Sequence, residues 1–351
     1  MAIPVTYWGA LALAIFTMLC WGSWANTMKL AGTRWRFELY YYDFALGVFL
    51  LGTIAAFTLG TFGADITVMD NLTIVRKLQI FLVLAGGAVF NLANLLLVSA
   101  IAVAGMSVAF PIGIGLALVI GVVWNYTIRP AANPYFLFSG AGVVVLAIVS
   151  AAMAYGALQK WREKVERQKA LTEGTKKKHV AKASPVKGIV LSLVSGVLMG
   201  SFYPLVELGR QGEIEMGPYP MGFLFGVAVL ATTLFYNIFF TNLPVQGAPV
   251  PMLHYFRGTM KQHAWGIVGG MVWCAGTVAN FVAASAPKEA QVGPAVAYAL
   301  GQGATLISML WGLLYWKETA GAPGAVTTRF YVTMLLYLVG LTLVSIAPLM
   351  V

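Results

Sequence analysis

A chain of 351 residues that is 60% hydrophobic and only 10% charged has too little charge for a water-exposed surface of that size, which excludes an ordinary soluble domain. The formal net charge of +10 would suit a nucleic-acid partner if it were spread over one face, but ten of the 22 Lys and Arg residues crowd into 160–187, between two hydrophobic blocks. The two cysteines, Cys20 and Cys274, both lie inside apolar runs, which argues against a disulfide framework or a thiolate metal site.

In chain order, MAIPVTYWG lacks a basic leader and an A-x-A end, so the first apolar run reads as a span and not as a removable signal. Runs long enough to cross a bilayer place helices near 7–28, 37–60, 78–101, 106–124 and 134–156. The charged stretch WREKVERQKALTEGTKKKHVAKASPVK follows, expected to begin as a helix extension and continue as a disordered tether. Further runs lie near 188–209, 217–241, 263–285, 290–315 and 329–350. The predicted fold is an all-α integral membrane protein of ten transmembrane helices. Its parts are a first five-helix unit (1–157), a basic linker (158–187) and a second five-helix unit (188–351). The loops on the side of the linker hold 17 Lys and Arg against five on the other side. The positive-inside rule makes the linker cytoplasmic and both termini external, in a plasma membrane or bacterial inner membrane. The N-L-T triplet at 71–73 falls in an external loop, where a bare sequon carries little weight.

The two halves resemble each other. LCWGSWANTMKLAG (19–32) lies over LMGSFYPLVELGRQ (198–211), setting Gly22–Ser23 on Gly200–Ser201. LAGGAVFNLANLLL lies over IVGGMVWCAGTVAN, setting Gly86–Gly87 on Gly269–Gly270. With five spans per half the second copy enters the membrane upside down, so two inverted five-helix repeats are expected, with a substrate site near the midplane where they meet.

Polar side chains recur on helical faces inside these runs. Ser23, Asn26 and Thr27 share one face beside Trp24; Asn91 and Asn94 are three apart; Trp273, Thr277 and Asn280 lie within about 60° of one another; Tyr298 and Gln302 are four apart. Amides bond hydroxyls in both directions and aromatic rings stack on flat apolar faces, so the set suits a small neutral polyhydroxylated or heterocyclic ligand. The plain alternative is that they join helices to one another. The binding candidates are Trp24, Asn26, Asn91, Asn94, Asn280, Tyr298 and Gln302. Gly22, Ser23, Pro111 and Pro294 are assigned to close packing or helix bending. Carboxylates are scarce enough for each to matter: Glu38 begins the second span, Asp43 lies further into it, and Glu207 ends the sixth. A carboxylate at membrane depth is costly in its charged form, which suits a carrier of a coupling proton. Asp43 is the leading candidate, with Glu207 and Glu38 behind it, and pairing with Lys29, Arg34 or Arg36 is the simple alternative. No phosphate-binding loop or hydrolytic constellation occurs, and the three histidines, His179, His254 and His263, show no metal spacing. No enzymatic activity, cofactor or metal is expected.

Taken together, CWGSW in the first span, GGxxxxxxN in the third, AGMSVAFPIGIGLALVIG in the fourth and QVGPAVAYALGQGATLISMLWGLLYWKE in the ninth resemble the drug/metabolite transporter superfamily. Within it the pattern is most similar to the group of glucose-uptake proteins, rhamnose–proton symporters and ureide permeases. Trp21–Gly22–Ser23 matches the W-G-S of the glucose-uptake proteins. Gly105–Met106–Ser107 matches the G-M-S of the rhamnose symporter, and Glu38 its acid at the start of the same span. Asp43, in YYYDF, resembles the Y-x-D-Y of ureide permeases. The resemblance implies ten helices in inverted repeats and uptake of small polar solutes through a central cavity. The expected function is secondary active import of a monosaccharide, coupled to protons, by alternating access; the alternatives are a ureide or nucleobase importer of the same fold and a multidrug or metabolite exporter. Its partners are then a small solute, protons and the bilayer.

Overall fold

The computed structural model describes residues 3–32, 35–62, 64, 66–172, 185–242 and 249–351. Arg34 and residues 173–184 of the linker, with His179, lie outside the described residues, as do the side chains of Met106 and Ser107. The described residues are helical throughout the apolar runs. Among the described residues nine helices are long and apolar enough to cross a membrane, and a bent pair, taken as one span, makes ten. In order these spans are Tyr7–Ala31, Phe37–Phe57, Lys77–Ala104, Met106–Ile128, Pro134–Thr172, Pro185–Arg210, Pro218–Asn242, Met260–Ala284, the pair Lys288–Gly301 with Ala304–Tyr315, and Gly324–Ile346. Sequence and structure agree on each span to within a few residues, and the fifth does extend into the linker, as far as Thr172.

Local chemistry sets several ends. The Thr6 side chain accepts from Gly9 N to open the first span. At the eighth, Thr259 and Gln262 form a reciprocal capping box in which each side chain takes the other's backbone N–H. The third and fourth spans are separated by Gly105 alone, at φ +83°, and the ninth is entered through Gly293 at φ +78°; an L side chain is strained at such angles. Two spans carry irregularities. The first stays one continuous helix and tightens at Trp24, whose carbonyl accepts from Thr27 N three residues on. The ninth bends by 42° at Gln302–Gly303 and ends in a π-turn, Trp311–Tyr315.

In lipid the helices gain little from hydrophobic burial against each other, so close packing and hydrogen bonds hold them together. The third and fourth spans pack on the sixth, while the eighth and ninth pack on the first; the second packs on the eighth, the third on the seventh. The second meets the seventh, the fourth the ninth, and the fifth the tenth. Glycines mark the closest approaches. A Cβ on Gly22 would strike Ala304 O and Ile307, and one on Gly200 would strike Ala117 O and Ile120. Likewise Gly87 lies against Phe225 O of the seventh span and Gly270 against Phe44 O of the second.

Candidate functional site

The middle of the bundle is aromatic. Trp273, halfway along the eighth span, stacks on Phe90, halfway along the third, with centroids 4.4 Å apart. Trp21 also stacks on Trp273, at 5.9 Å, and its Nε1 donates to Thr277 Oγ1 at 3.1 Å. Phe225 and Phe44 close the cluster at 5.9 and 6.2 Å from Trp273, and Trp24, of the first span, packs on Phe44 at 4.8 Å.

Beside these rings lies a hydrogen-bond network among the second, third and seventh spans. The Tyr41 hydroxyl donates to Asn91 Oδ1 (2.8 Å) and accepts from Asn94 Nδ2 (3.0 Å). Asn91 Nδ2 has the hydroxyls of Thr232 and Thr233 at 2.9 Å and Val229 O at 3.2 Å as acceptors. The remaining binding candidates lie in separate contacts. The Tyr298 hydroxyl reaches Ala117 O and Met199 O, each at 3.2 Å, and so ties the ninth span to the fourth and sixth. Asn280 Nδ2 donates to Ala297 O (2.9 Å), leaving its Oδ1 buried without a partner. Asn26 Oδ1 accepts from Trp316 Nε1 (2.6 Å) and Ser23 Oγ from Trp311 Nε1 (2.8 Å), joining the end of the first span to the ninth. Gln302 stands half-buried at the bend of the ninth span. Pro111 lies inside the fourth span and Pro294 at the first turn of the ninth. The structure thus joins Asn91 and Asn94 through Tyr41, places Trp24 against the ring cluster, links Tyr298 to that cluster through Phe202, with Asn280 bonded to the neighbouring Ala297, and puts Asn26 and Gln302 in other contacts.

Asp43 does not pair with Lys29 or Arg36. It is 1% exposed, and its oxygens meet two side chains distant in sequence. The Tyr255 hydroxyl donates to Oδ1 at 2.5 Å, and His263 Nδ1 lies 3.1 and 2.9 Å from the two carboxylate oxygens. Tyr255 belongs to a short 3₁₀ turn, Met252–Arg257, between the seventh and eighth spans, and His263 to the first turn of the eighth. Trp35 and Tyr255 stand edge-on to the imidazole at 5.4 and 4.7 Å. A Cβ on Gly266 would collide with Asp43, so the eighth span lies directly against it. Burial, with Asp43 alongside, pushes the Tyr255 phenol above its ordinary pKa and keeps it a donor. A carboxylate and an imidazole in contact can hold one proton between them, and the imidazole, at 21% exposure, is the member that meets water.

The other two carboxylates are paired. Glu38 binds Arg36 at 2.7 Å at the start of the second span. Glu207 and Arg210 are each 3% exposed and bond at 2.8 Å, and Arg210 also binds Glu215. Beside them a crevice lined by Tyr203, Glu207, Met221, Phe281 and Ser285 holds two buried hydroxyls without partners, those of Tyr203 and Ser285. Arg129 approaches the same end, donating to Gln291 Oε1 at 2.9 Å. Asn71, of the N-L-T triplet, is buried, with its amide on Glu215 O and its Oδ1 accepting from Gly217 N.

Sequence reasoning gave no role to His263 or Tyr255. The separations from Asp43 are 220 and 212 residues, so no local spacing joins them. The available signal was that His263, like Glu38 and Asp43, is a titratable residue at the head of an apolar run.

A bundle of membrane-crossing helices with a bent ninth span, a polar network beside a midplane ring stack and a buried titratable cluster defines the class as an integral membrane protein. A sequence model of the ureide permease family matches residues 40–189. The chain is 22% identical over 367 residues to Ureide permease 2 of Arabidopsis thaliana, covering 88% of this chain and 89% of that protein. It is 22% identical over 368 residues to Ureide permease 5 of the same plant, covering 88% and 87%. With Ureide permease 3 it shares 23% identity over 311 residues, covering 81% and 87%. The chain is therefore similar to ureide permeases along most of its length, and the similarity indicates a transporter of small solutes rather than an enzyme.

Proposed function

We propose that this protein imports a ureide or nucleobase-like solute together with protons, by alternating access between two inverted five-helix repeats. The similarity to three ureide permeases, extending over 81–88% of the chain, carries this reading and favours it over the monosaccharide expected from the W-G-S and G-M-S segments. The chemistry agrees. Ureides and nucleobases are flat and carry amide groups, so they can stack on the half-buried ring of Trp24, at the edge of the aromatic cluster, while exchanging hydrogen bonds with carboxamides such as those of Asn94, Asn91, Asn280, Asn26 and Gln302, or with the Tyr298 hydroxyl. The repeat is supported by packing that exchanges partners when each span is replaced by the one five later, and by the matched contacts of Gly22 with Gly200 and of Gly87 with Gly270.

Asp43 is the proton carrier in this reading. A proton on the carboxyl removes its charge while it is buried, and His263 passes the proton to water on the side of the basic linker, the cytoplasm in this orientation. Glu207 and Glu38, both held in ion pairs, serve as secondary candidates. Uptake into liposomes under an inward proton gradient, with allantoin, uracil, glucose and rhamnose as competing solutes, tests the proposal. Accumulation of allantoin or uracil that collapses when the gradient is dissipated is expected. Accumulation of a sugar alone would overturn the substrate class, and accumulation indifferent to the gradient would overturn the coupling.

A further inference from the structure

The turn that brings Tyr255 to Asp43 has two other faces. In a 3₁₀ helix, residues three apart eclipse one another, so Met252–Arg257 presents three ridges: Met252 with Tyr255, Leu253 with Phe256, and His254 with Arg257. Tyr255 is the one residue of the six that is not exposed. Leu253 and Phe256 are 72% and 77% exposed, and Met260, three residues beyond the turn, is 84% exposed. Next to this apolar ridge stand the cations Arg257 and Lys261 and the imidazole of His254, all exposed.

The depth of the turn is fixed by what it touches. Tyr255 meets Tyr42 and Asp43 in the second turn of the second span and His263 in the first turn of the eighth. Six residues of helix separate Phe37 from Asp43, a rise of about 9 Å, so the turn lies at the level where these spans leave the hydrocarbon. An apolar ridge beside a cationic one at that level has the form of an interfacial segment, with the apolar side chains at the acyl boundary and the cations among the headgroups. It belongs to the side that carries 17 of the 22 Lys and Arg residues.

We propose that 252–261 is a lipid-docking segment. Leu253, Phe256 and Met260 insert at the headgroup–acyl boundary, Arg257 and Lys261 take anionic lipid headgroups, and the docked turn holds Tyr255 on Asp43. The occupant is a lipid surface because the ridge is narrow, contiguous with the lipid-facing ends of two spans, and paired with positive charge. The proposal rests on the protein being membrane-embedded but on neither its substrate nor its coupling.

The test needs no transport assay. The native cysteines are both buried, so a nitroxide can be placed in turn by Leu253→Cys, Phe256→Cys and His254→Cys. The full chain is reconstituted in nanodiscs of phosphatidylcholine alone or with phosphatidylglycerol, and collision with oxygen and with a water-soluble nickel chelate reports depth. Labels at 253 and 256 should be shielded from nickel and accessible to oxygen, with the label at 254 the reverse. Phosphatidylglycerol should increase the shielded fraction at least twofold, and the Arg257→Gln/Lys261→Gln pair should remove that increase. Equal nickel access at all three positions would overturn docking, and a depth indifferent to lipid charge would overturn the headgroup assignment. Failure of ureide uptake would leave these depths unchanged, so the two readings fail separately.

Discussion

The ends of the first and sixth spans, which the sequence alignment of Gly22 with Gly200 sets on one another, are secured differently. Lys29 and Glu207 each stand seven residues past the paired glycines Gly22 and Gly200. At the Glu207 end the ion pair with Arg210 is 3% exposed on both sides, and Gln79 Nε2 donates to Arg210 O and Ile214 O to fasten the loop beyond. At the Lys29 end the partner is Glu318, at 46% and 24% exposure, backed by the Trp316 ring over the ammonium and by Trp316 Nε1 on Asn26. Charges taken out of water can be separated only at great cost, whereas charges left in water exchange partners cheaply. The pair at the Glu207 end is therefore the costlier of the two to separate.

The largest effect should come from breaking the buried pair. Glu207→Gln leaves Arg210 with only the exposed Glu215, and a loss of about 3–5 kcal/mol is expected, read as a fall in melting temperature and in folded yield after detergent extraction. Glycine contacts come next. Gly22→Val and Gly200→Val should each cost about 1–3 kcal/mol, and a large inequality between them would break the correspondence of the two halves. Asn91→Ala removes the acceptor for Tyr41 and the donor to Thr232 and Thr233, so it should cost about 1–3 kcal/mol in addition to any effect on uptake. A folded variant without transport would assign Asn91 to the site, and unaltered transport would leave it a helix-joining group. Asp43→Asn should abolish accumulation against a gradient while downhill exchange continues at a comparable rate; persistence of accumulation would move coupling elsewhere. The smallest change is Lys29→Gln, at below about 1 kcal/mol, and a cost equal to that of Glu207→Gln would erase the contrast between the ends.

The spans were legible because a bilayer demands runs of about 20 apolar residues whatever the helices touch. Lateral packing was partly legible: the glycine pairs at 22 and 200 and at 87 and 270 mark approaches that no side chain fits. The cluster around Asp43 was not. Asp43 stood out because a carboxylate in an apolar run is rare, but its nearest basic neighbours in sequence were Lys29, Arg34 and Arg36, and the imidazole that reaches it comes from the other half of the chain. The amides were legible only as a shared face. Helical spacing predicts that Asn91 and Asn94 share a face, and they do, but it cannot tell that Tyr41 and two threonines already occupy much of that face.

The contact of Gly270 with Phe44 O, answered one turn of helix away by Gly47 against Ile267 O, brings the backbones of the second and eighth spans together with no side chain between them. Two helices touching along their backbones leave little room to roll over one another. Asp43 and His263 stand on opposite members of that pair, so the contact that holds the backbones together also sets the distance between carboxylate and imidazole. Tyr255, the third member of the cluster, reaches the acid from a turn that belongs to neither helix.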